Sequence, residues 1–296
     1  MSTIKWLSYP RPQLRRNSYI SLNGTWTLDG QEIQIPFAPQ SRLSEYKGTV
    51  GEHLTYIRKF AYAPDFHWVE NGRVILHFGA VDEVCEVYVN DIYVGKHEGG
   101  YLHFSFDITD ALKVDARNIL RVEVTDTLSR VYPYGKQCKK RGGMWYTPIS
   151  GIWQSVWMEV VPEHYIKEIK LTPSMTDIEI SVVGNVDGFK ATVLDEGKVV
   201  VEQSFDTNTG KIEVPNPILW DVDNPHLYDL KIVAGDDEIE SYFALRTVEI
   251  KKVDGINRVC LNNKPIFMLV FWIRGIMKMV FIFRRMKKNL PRISFV

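Results

Sequence analysis

Between Arg73 and Glu249 the chain is written in short alternating runs, and this pattern limits the fold more than any other feature. "RVILHFGA", "VCEVYVN", "DIYVGKHEGG", "YLHFSFDIT", "NILRVEVTD" and "IWQSVWMEVV" follow one another, each bounded by turn-forming residues. A period of two sends successive side chains to opposite faces of a strand. Val87, Val89 and Ile92 or Val94 therefore share one face, with polar residues opposite. Asn90-Asp91, Gly95, Gly99-Gly100 and Asp115 to Asn118 supply the turns. No window of twelve residues here carries a helical stripe. The pattern predicts an all-β region of many short strands, a sandwich or jelly roll.

A second series starts near His164. "YIKEIKLTPS", "DIEISVVG", "FKATVLDEG", "KVVVEQSF", "KIEVPN", "HLYDLKIVAG" and "EIESYFALRTVEI" predict about seven strands in roughly 90 residues, the size of an immunoglobulin-like sandwich. "NVDG" (Asn185 to Gly188) reads as a tight turn. The spacing puts a domain boundary at Pro162-Glu163, with no low-complexity linker, so the two sandwiches are expected to pack closely. Trp153 and Trp157 lie four apart on an expected strand and should share a core face; Trp220, just before "DVDNP", is expected in the second core. Trp145 and Tyr146 precede the turn "TPISG" and are expected on an exposed loop tip, where binding residues concentrate. Beside them runs the basic loop "YPYGKQCKKRGG" (Tyr132 to Gly143), whose plainest reading is a solvated surface loop.

Composition narrows the function. Hydrophobic content of 45% and charged content of 24% fit a globular protein with a sizeable core. A formal net charge of zero argues against a general nucleic-acid binder. The first residues, "MSTIKWLSYPRPQLRRN", hold no apolar run of signal-peptide length. Cys85, Cys138 and Cys260 are odd in count and lack metal-site spacing, so reduced thiols in a cytoplasmic protein are expected, with no metal or cofactor. Sequence spacing alone defines no Ser/His/Asp or Cys/His arrangement, and the oligomeric state is not legible.

Several motifs, in order, resemble glycoside hydrolase family 2, the β-galactosidase, β-glucuronidase and β-mannosidase family. "SLNGTWTL" (Ser21 to Leu28), "YIRKF" (Tyr56 to Phe60), "LHFGAVDEVCEVYVNDIYVGKHEGGYLHFSFDIT" (Leu76 to Thr109) and "GMWYTPISGIWQSVWMEVV" (Gly143 to Val161) are similar to its N-terminal sugar-binding domain. "LWDVDNPHLYDL" and "FALRTVEI" (Phe243 to Ile250) resemble its immunoglobulin-like domain, and "LNNKPIFM" (Leu261 to Met268) its lead-in to a (β/α)₈ barrel. The resemblance implies a jelly roll over residues 1–162, an immunoglobulin-like sandwich over 163–251 and a barrel lead-in over 252–268. It also implies that the basic loop faces a sugar pocket, with Gln137, Trp145 and Tyr146 as candidate carbohydrate contacts. Many family members carry an acidic residue just before "SGI"; this chain has none there. The family's two catalytic glutamates sit on the barrel, which needs about 250 residues. Here no glutamate follows Glu249, and Asp254 is the only carboxylate after Lys251. The expectation is a non-catalytic portion of a β-glycosidase that at most binds carbohydrate. The competing readings are a scaffold or oligomer-contact module and a membrane-surface protein anchored by its tail.

That tail is the apolar stretch "PIFMLVFWIRGIMKMVFIFRRMKKN" (Pro265 to Asn289). Ile266 to Phe283 spans 18 residues, the lower limit for a membrane-crossing helix, and Arg274 and Lys278 interrupt it. No specific membrane insertion is expected. Shifting the reading frame by one nucleotide converts the segment to a family-like barrel strand, Gly-Val-Leu-Asp-Gln-Gly, in register with "KPIFM". Residues 269–296 therefore read as a frameshifted tail, with Phe271, Trp272, Ile276, Phe281 and Phe283 expected to stay exposed.

Overall fold

The computed structural model describes residues 9–62, 71–140 and 142–267. The expectations for residues 269–296 lie outside the described residues.

The first sandwich holds β1 (Ile20–Ser21), β2 (Gly24–Leu28), β3 (Gln31–Ile35), β4 (His53–Tyr62), β5 (Arg73–Phe78), β6 (Val81–Asp82), β7 (Val84–Val89), β8 (Ile92–Glu98), β9 (Phe104–Asp107), β10 (Ala116–Thr125), β11 (Gly151–Ile152) and β12 (Val156–Val161). One sheet runs β3-β2-β4-β10-β7-β8 and faces the sheet β1-β12-β5-β9; β11 and β6 form a short ladder of their own. Alternation decides what faces inward. On β10, Leu120, Val122 and Val124 are buried, and they meet Val74, Leu76 and Phe78 of β5 and Val156 and Met158 of β12 in one core. The left-handed pair Asn90-Asp91 closes the β7–β8 hairpin; Val94, the residue skipped where the register shifts between Val87 and Tyr88, packs against the core with Val87 and Val89, while Ile92 is 52% exposed.

The second sandwich holds β13 (Ile166–Pro173), β14 (Asp177–Gly184), β15 (Phe189–Asp195), β16 (Lys198–Phe205), β17 (Thr209–Glu213), β18 (Tyr228–Ala234) and β19 (Asp237–Phe243). Sheets β13-β14-β17 and β16-β15-β18-β19 enclose Ile178, Ile180, Val193, Tyr228, Leu230 and Ile232. The Asn185–Gly188 segment carries the chain from β14 in one sheet to β15 in the other, so it is a crossover and not a hairpin turn. A third sheet follows, β20 (Val248–Val253), β21 (Ile256–Leu261) and β22 (Lys264–Pro265). Among the described residues, no helix is long and apolar enough to cross a membrane.

Two tryptophan expectations need correction. Trp153 and Trp157 are both buried, but residues 153–155 break the strand between β11 and β12, and the two rings do not share a face. Trp153 packs with Ala38 and Ala80, whereas Trp157 stacks on His77 at 4.9 Å. Trp220 is half-buried, outside the second core. Leu219 takes the inward position beside it, and the period of two then turns Trp220 outward under Arg246, 4.7 Å from the ring centroid. The large core aromatic is Tyr228, 1% exposed and stacked with Phe243. Trp220→Ala should cost about 1 kcal/mol in denaturant unfolding, the scale of a surface cation–π contact rather than a core cavity.

The sandwiches are joined by the N-terminal segment. All six residues of β12 are buried, so its outer face, Trp157, Glu159 and Val161, is covered as fully as its inner one. Arg16 lies across that face and donates to Glu159 Oε2 at 2.7 Å. Its other guanidinium nitrogens grip both oxygens of Asp237 in the second sandwich, at 2.9 and 2.7 Å, and the Ile166 carbonyl. Arg11 and Tyr9 donate to Glu159 from the same segment. Leu14 enters the second core, and Arg15 forms a two-bond bridge with Glu240. Burial opposes ionisation of Glu159, but Arg11, His77 and Arg16, with Tyr9 donating, outweigh it and hold the carboxyl at about 2. Burial pushes His77 itself down to about 3, so the imidazole is neutral at pH 7 and the arginines do the holding there.

Removing one partner of a buried ion pair strands the other charge, so Glu159→Gln should lose about 3 kcal/mol of unfolding free energy at pH 7. Glu159's depressed pKa means its contribution is present above about 4.5 and lost as pH falls toward about 2. Denaturant titrations across that window should show the wild-type advantage over the variant shrinking as pH falls.

Candidate functional site at one end of the first sandwich

At one end of the first sandwich the β6–β11 ladder, the turn after β8 and the long loop between β10 and β11 converge. Gly151 pairs with Asp82, and the Tyr56 hydroxyl occupies the space a Cβ on Gly151 would need; its φ of 74° also favours glycine. Gly100 is packed directly on the Asp82 carboxylate, where a side chain would have no room. Trp153 donates its ring N–H to the Gly100 carbonyl at 2.8 Å, and Tyr101 sits edge-on to the Trp153 ring at 6.2 Å. The ladder therefore sets the turn, and the turn sets Tyr101.

The long loop is tied down from within. Tyr146 donates its N–H to the Lys136 carbonyl at 2.9 Å, and the Cys138 N–H donates to the Tyr146 carbonyl at 3.3 Å, so residues 136–138 lie beside Tyr146. Gln137 is 8% exposed. Its amide oxygen accepts the Ile149 N–H at 2.6 Å, and its amide nitrogen donates to the Tyr101 hydroxyl at 3.3 Å. Gln40 makes a two-way pair with Ser150, donating to the hydroxyl at 2.7 Å and accepting the Ser150 N–H at 3.2 Å. Trp145 and Tyr146 remain 48% and 37% exposed, as expected of a loop tip. The basic loop is therefore not wholly a solvated surface segment: Gln137 at its middle is a brace. Gln137 positions Tyr101 and the Ile149 backbone instead of offering a free amide.

Against Gly100 and Gln137 lies an acidic group that sequence reading passed over. Asp82 and Glu83 are each 4% exposed. Burial first, then the charges of Asp126 and Glu83, push the Asp82 carboxyl up to about 7, against a bond from Gln137 that favours its ionised form. Asp126 is raised as well, chiefly by burial. Glu83 is committed elsewhere, accepting from the Thr127 N–H and hydroxyl at 3.1 and 3.2 Å. The signal for Asp82 was its place inside "GAVDEV", where adjacent carboxylates sit between apolar residues. Near neutral pH such a carboxyl both donates and accepts hydrogen bonds. Among the described residues no group of three or more His, Cys, Asp and Glu side chains is placed to hold a metal.

A separate cleft of about 640 Å³ opens where the N-terminal segment meets both sandwiches, lined by Arg11, His103, Gln154, Trp157 and Lys167 among others. Gln137, Trp145 and Tyr146 do not line it.

Comparison with known proteins follows the same division of the chain. The family model described as the sugar binding domain of glycosyl hydrolases family 2 matches residues 12–162, and a second, described as glycosyl hydrolases family 2, matches residues 165–246. A β-galactosidase of Thermoanaerobacter pseudethanolicus is 28% identical over 218 residues, 66% of this chain and 28% of that protein. A putative β-glucuronidase of Formosa agariphila is 31% identical over 206 residues, 62% of this chain and 24% of that protein. The chain thus spans about a quarter of the length of these relatives. The solved β-glucuronidase of Ruminococcus gnavus shares the fold, with a TM-score of 0.70 at 23% identity over 88% of this chain and 50% of that one.

Because the Asp82 pKa is raised from 3.8 to about 7, the folded protein loses stability as pH rises through that interval. Asp82→Asn, which keeps the shape without the charge, should be more stable than wild type by roughly 2 kcal/mol at pH 8, with the gain vanishing near pH 4. Thermal unfolding at the two pH values measures it.

Proposed function

The chain belongs to family 2 of the glycosyl hydrolases, and from that premise we propose that it binds a β-glycoside at the aromatic end of its first sandwich without hydrolysing it. The observation that carries this reading is the grouping of three exposed aromatic side chains, Trp145, Tyr146 and Tyr101, on a loop end braced by Gln137, which holds the Tyr101 hydroxyl in place. Sugar rings present apolar C–H faces and a rim of hydroxyls. An aromatic wall covers the first, and a few fixed polar groups read the second.

The same geometry argues against chemistry at this site. Retaining hydrolysis needs two carboxyl groups about 5 Å apart on opposite sides of the glycosidic bond. Of the carboxyls gathered here, Asp82 is enclosed against Gly100, Glu83 is occupied by Thr127 and Asp126 accepts the Leu128 N–H. The relatives' hydrolytic activity therefore belongs, in this reading, to parts of those proteins that this chain does not match. The division at Pro162 and a cytoplasmic setting complete the proposal. The setting is supported by three thiols, Cys85, Cys138 and Cys260, that are all free.

The test is titration calorimetry or ligand-observed NMR with methyl β-galactoside and methyl β-glucuronide. Binding of one sugar, weakened at least tenfold by Trp145→Ala with no change in thermal unfolding, is the expected result. Incubation with nitrophenyl β-glycosides should release no nitrophenol. Absence of binding to either sugar, or turnover abolished by Asp82→Asn, would overturn the proposal.

A further inference from the structure

The hairpin formed by β20 and β21 projects beyond the second sandwich. It is rooted by Cys260 and Leu261, which are buried, while Val248 and Ile250 are 62% and 75% exposed. Strand β20 is an edge: it pairs with β21 on one side and with nothing else among the described residues. Edge strands that stay open are normally short, strongly charged or interrupted by proline. This one, "VEIKKV", carries charge, but Glu249 and Lys251 are of opposite sign and offset each other on one face, and Val248 and Ile250 stand exposed on the other.

Which groups point off the edge follows from the turn. Asp254 and Gly255, with φ of 52° and 77°, form a two-residue left-handed turn, so the closing pair Val253–Ile256 is hydrogen-bonded and the alternation runs from there. Ile250 and Val259 then form a non-hydrogen-bonded pair. The Val259 carbonyl confirms this phase, because it turns away from β20 and accepts the Ile266 N–H at 2.9 Å. The main-chain N–H and C=O groups of Val248, Ile250 and Lys252 therefore point outward, unpaired with protein among the described residues.

We propose that β20 is a self-complementary edge through which two copies of this chain pair antiparallel about a two-fold axis at Ile250. In that register Ile250 faces its own copy, Val248 faces Lys252 of the second copy, and Glu249 faces Lys251 of the second copy, twice over. Every residue whose main chain points outward meets another such residue, so the ladder closes without a bulge. A two-fold centred on Lys252 would set Lys252 against itself. One centred on Val248 would leave Glu249 opposite Thr247. Only the Ile250 register makes two opposite-charge pairs.

Glu249 and Lys251 already contact each other within one chain at 2.7 Å, with side chains 49% and 42% exposed, and Lys251 reaches Asn263. Pairing extends this contact into a four-charge square of alternating sign on one face. The other face becomes a continuous apolar strip of Val248, Ile250, Val259 and Leu261 from both copies, with the Lys252 stems along its margins. Two three-stranded sheets become one of six. The contact is smaller than a standard stable interface, so the association is expected in the micromolar range. This inference does not depend on the sugar-binding reading.

Charge complementation tests it on the full chain. Sedimentation or light scattering over a roughly hundredfold concentration range, centred in the micromolar region, should show the mass of the wild type doubling. Glu249→Lys sets two lysines against each other across the axis, and Lys251→Glu sets two glutamates together, so each variant alone should remain monomeric. An equimolar mixture of the two variants should dimerise, because each mixed pair replaces the like-charge contacts with one all-basic and one all-acidic edge facing each other. The double swap within one chain should also dimerise. Wild type that stays monomeric throughout the range overturns the proposal. So does association that is equal in all variants, which would point to a different surface.

Discussion

The guanidinium of Arg16, held between Glu159 and Asp237, is the interaction on which the arrangement of the two sandwiches rests. Its partners lie 143 and 221 residues away, one on the outer face of β12 and one at the start of β19. Each carboxylate alone would be expensive to bury. Asp237 also accepts the Ile166 N–H at 2.7 Å, so the main chain entering β13 is drawn into the same network. The network is full enough to offset desolvation: five hydrogen bonds from Tyr9, Arg11, Arg16 and Trp157 converge on Glu159. The consequence reaches the fold itself. A strand of an antiparallel sandwich ordinarily leaves one face to water, but β12 buries both, because the second sandwich and the N-terminal segment lie on its outer side.

At the opposite extreme of chemistry, the loop end is built from close contacts instead of charge pairing. Two glycines, Gly100 and Gly151, admit a carboxylate and a phenol where a side chain would otherwise sit. That allows Asp82 to lie under Tyr101 and Trp153 without solvent. The cost is a carboxyl held partly protonated near pH 7, a property of a polar floor that water does not reach. Gln137 braces the long loop by bonding the Ile149 N–H and the Tyr101 hydroxyl at once. Exposed aromatics on a braced loop lose little freedom when they meet a ligand, which is why such loops recur at binding sites.

The amino-acid sequence determined the local grammar of this protein. A period of two and the Asn, Asp and Gly turn residues dictate strands wherever they occur, because backbone sterics act between neighbours. Seven strands in the second unit, the Asn90-Asp91 hairpin, the turn at Gly99-Gly100 and the exposed loop tip at Trp145 and Tyr146 were all legible on those terms. What only the tertiary structure decided is which face meets which. Trp220 turned outward because Leu219 claimed the core; Trp153 and Trp157 parted because the strand breaks between them; Gln137 went inward because Ile149 and Tyr101 needed its amide. Arg16, one of two adjacent arginines near the chain start, gave no local hint of its role. Its environment is made by residues more than a hundred positions distant, and burial and charge pairing act through space, where a one-dimensional pattern holds no record of them.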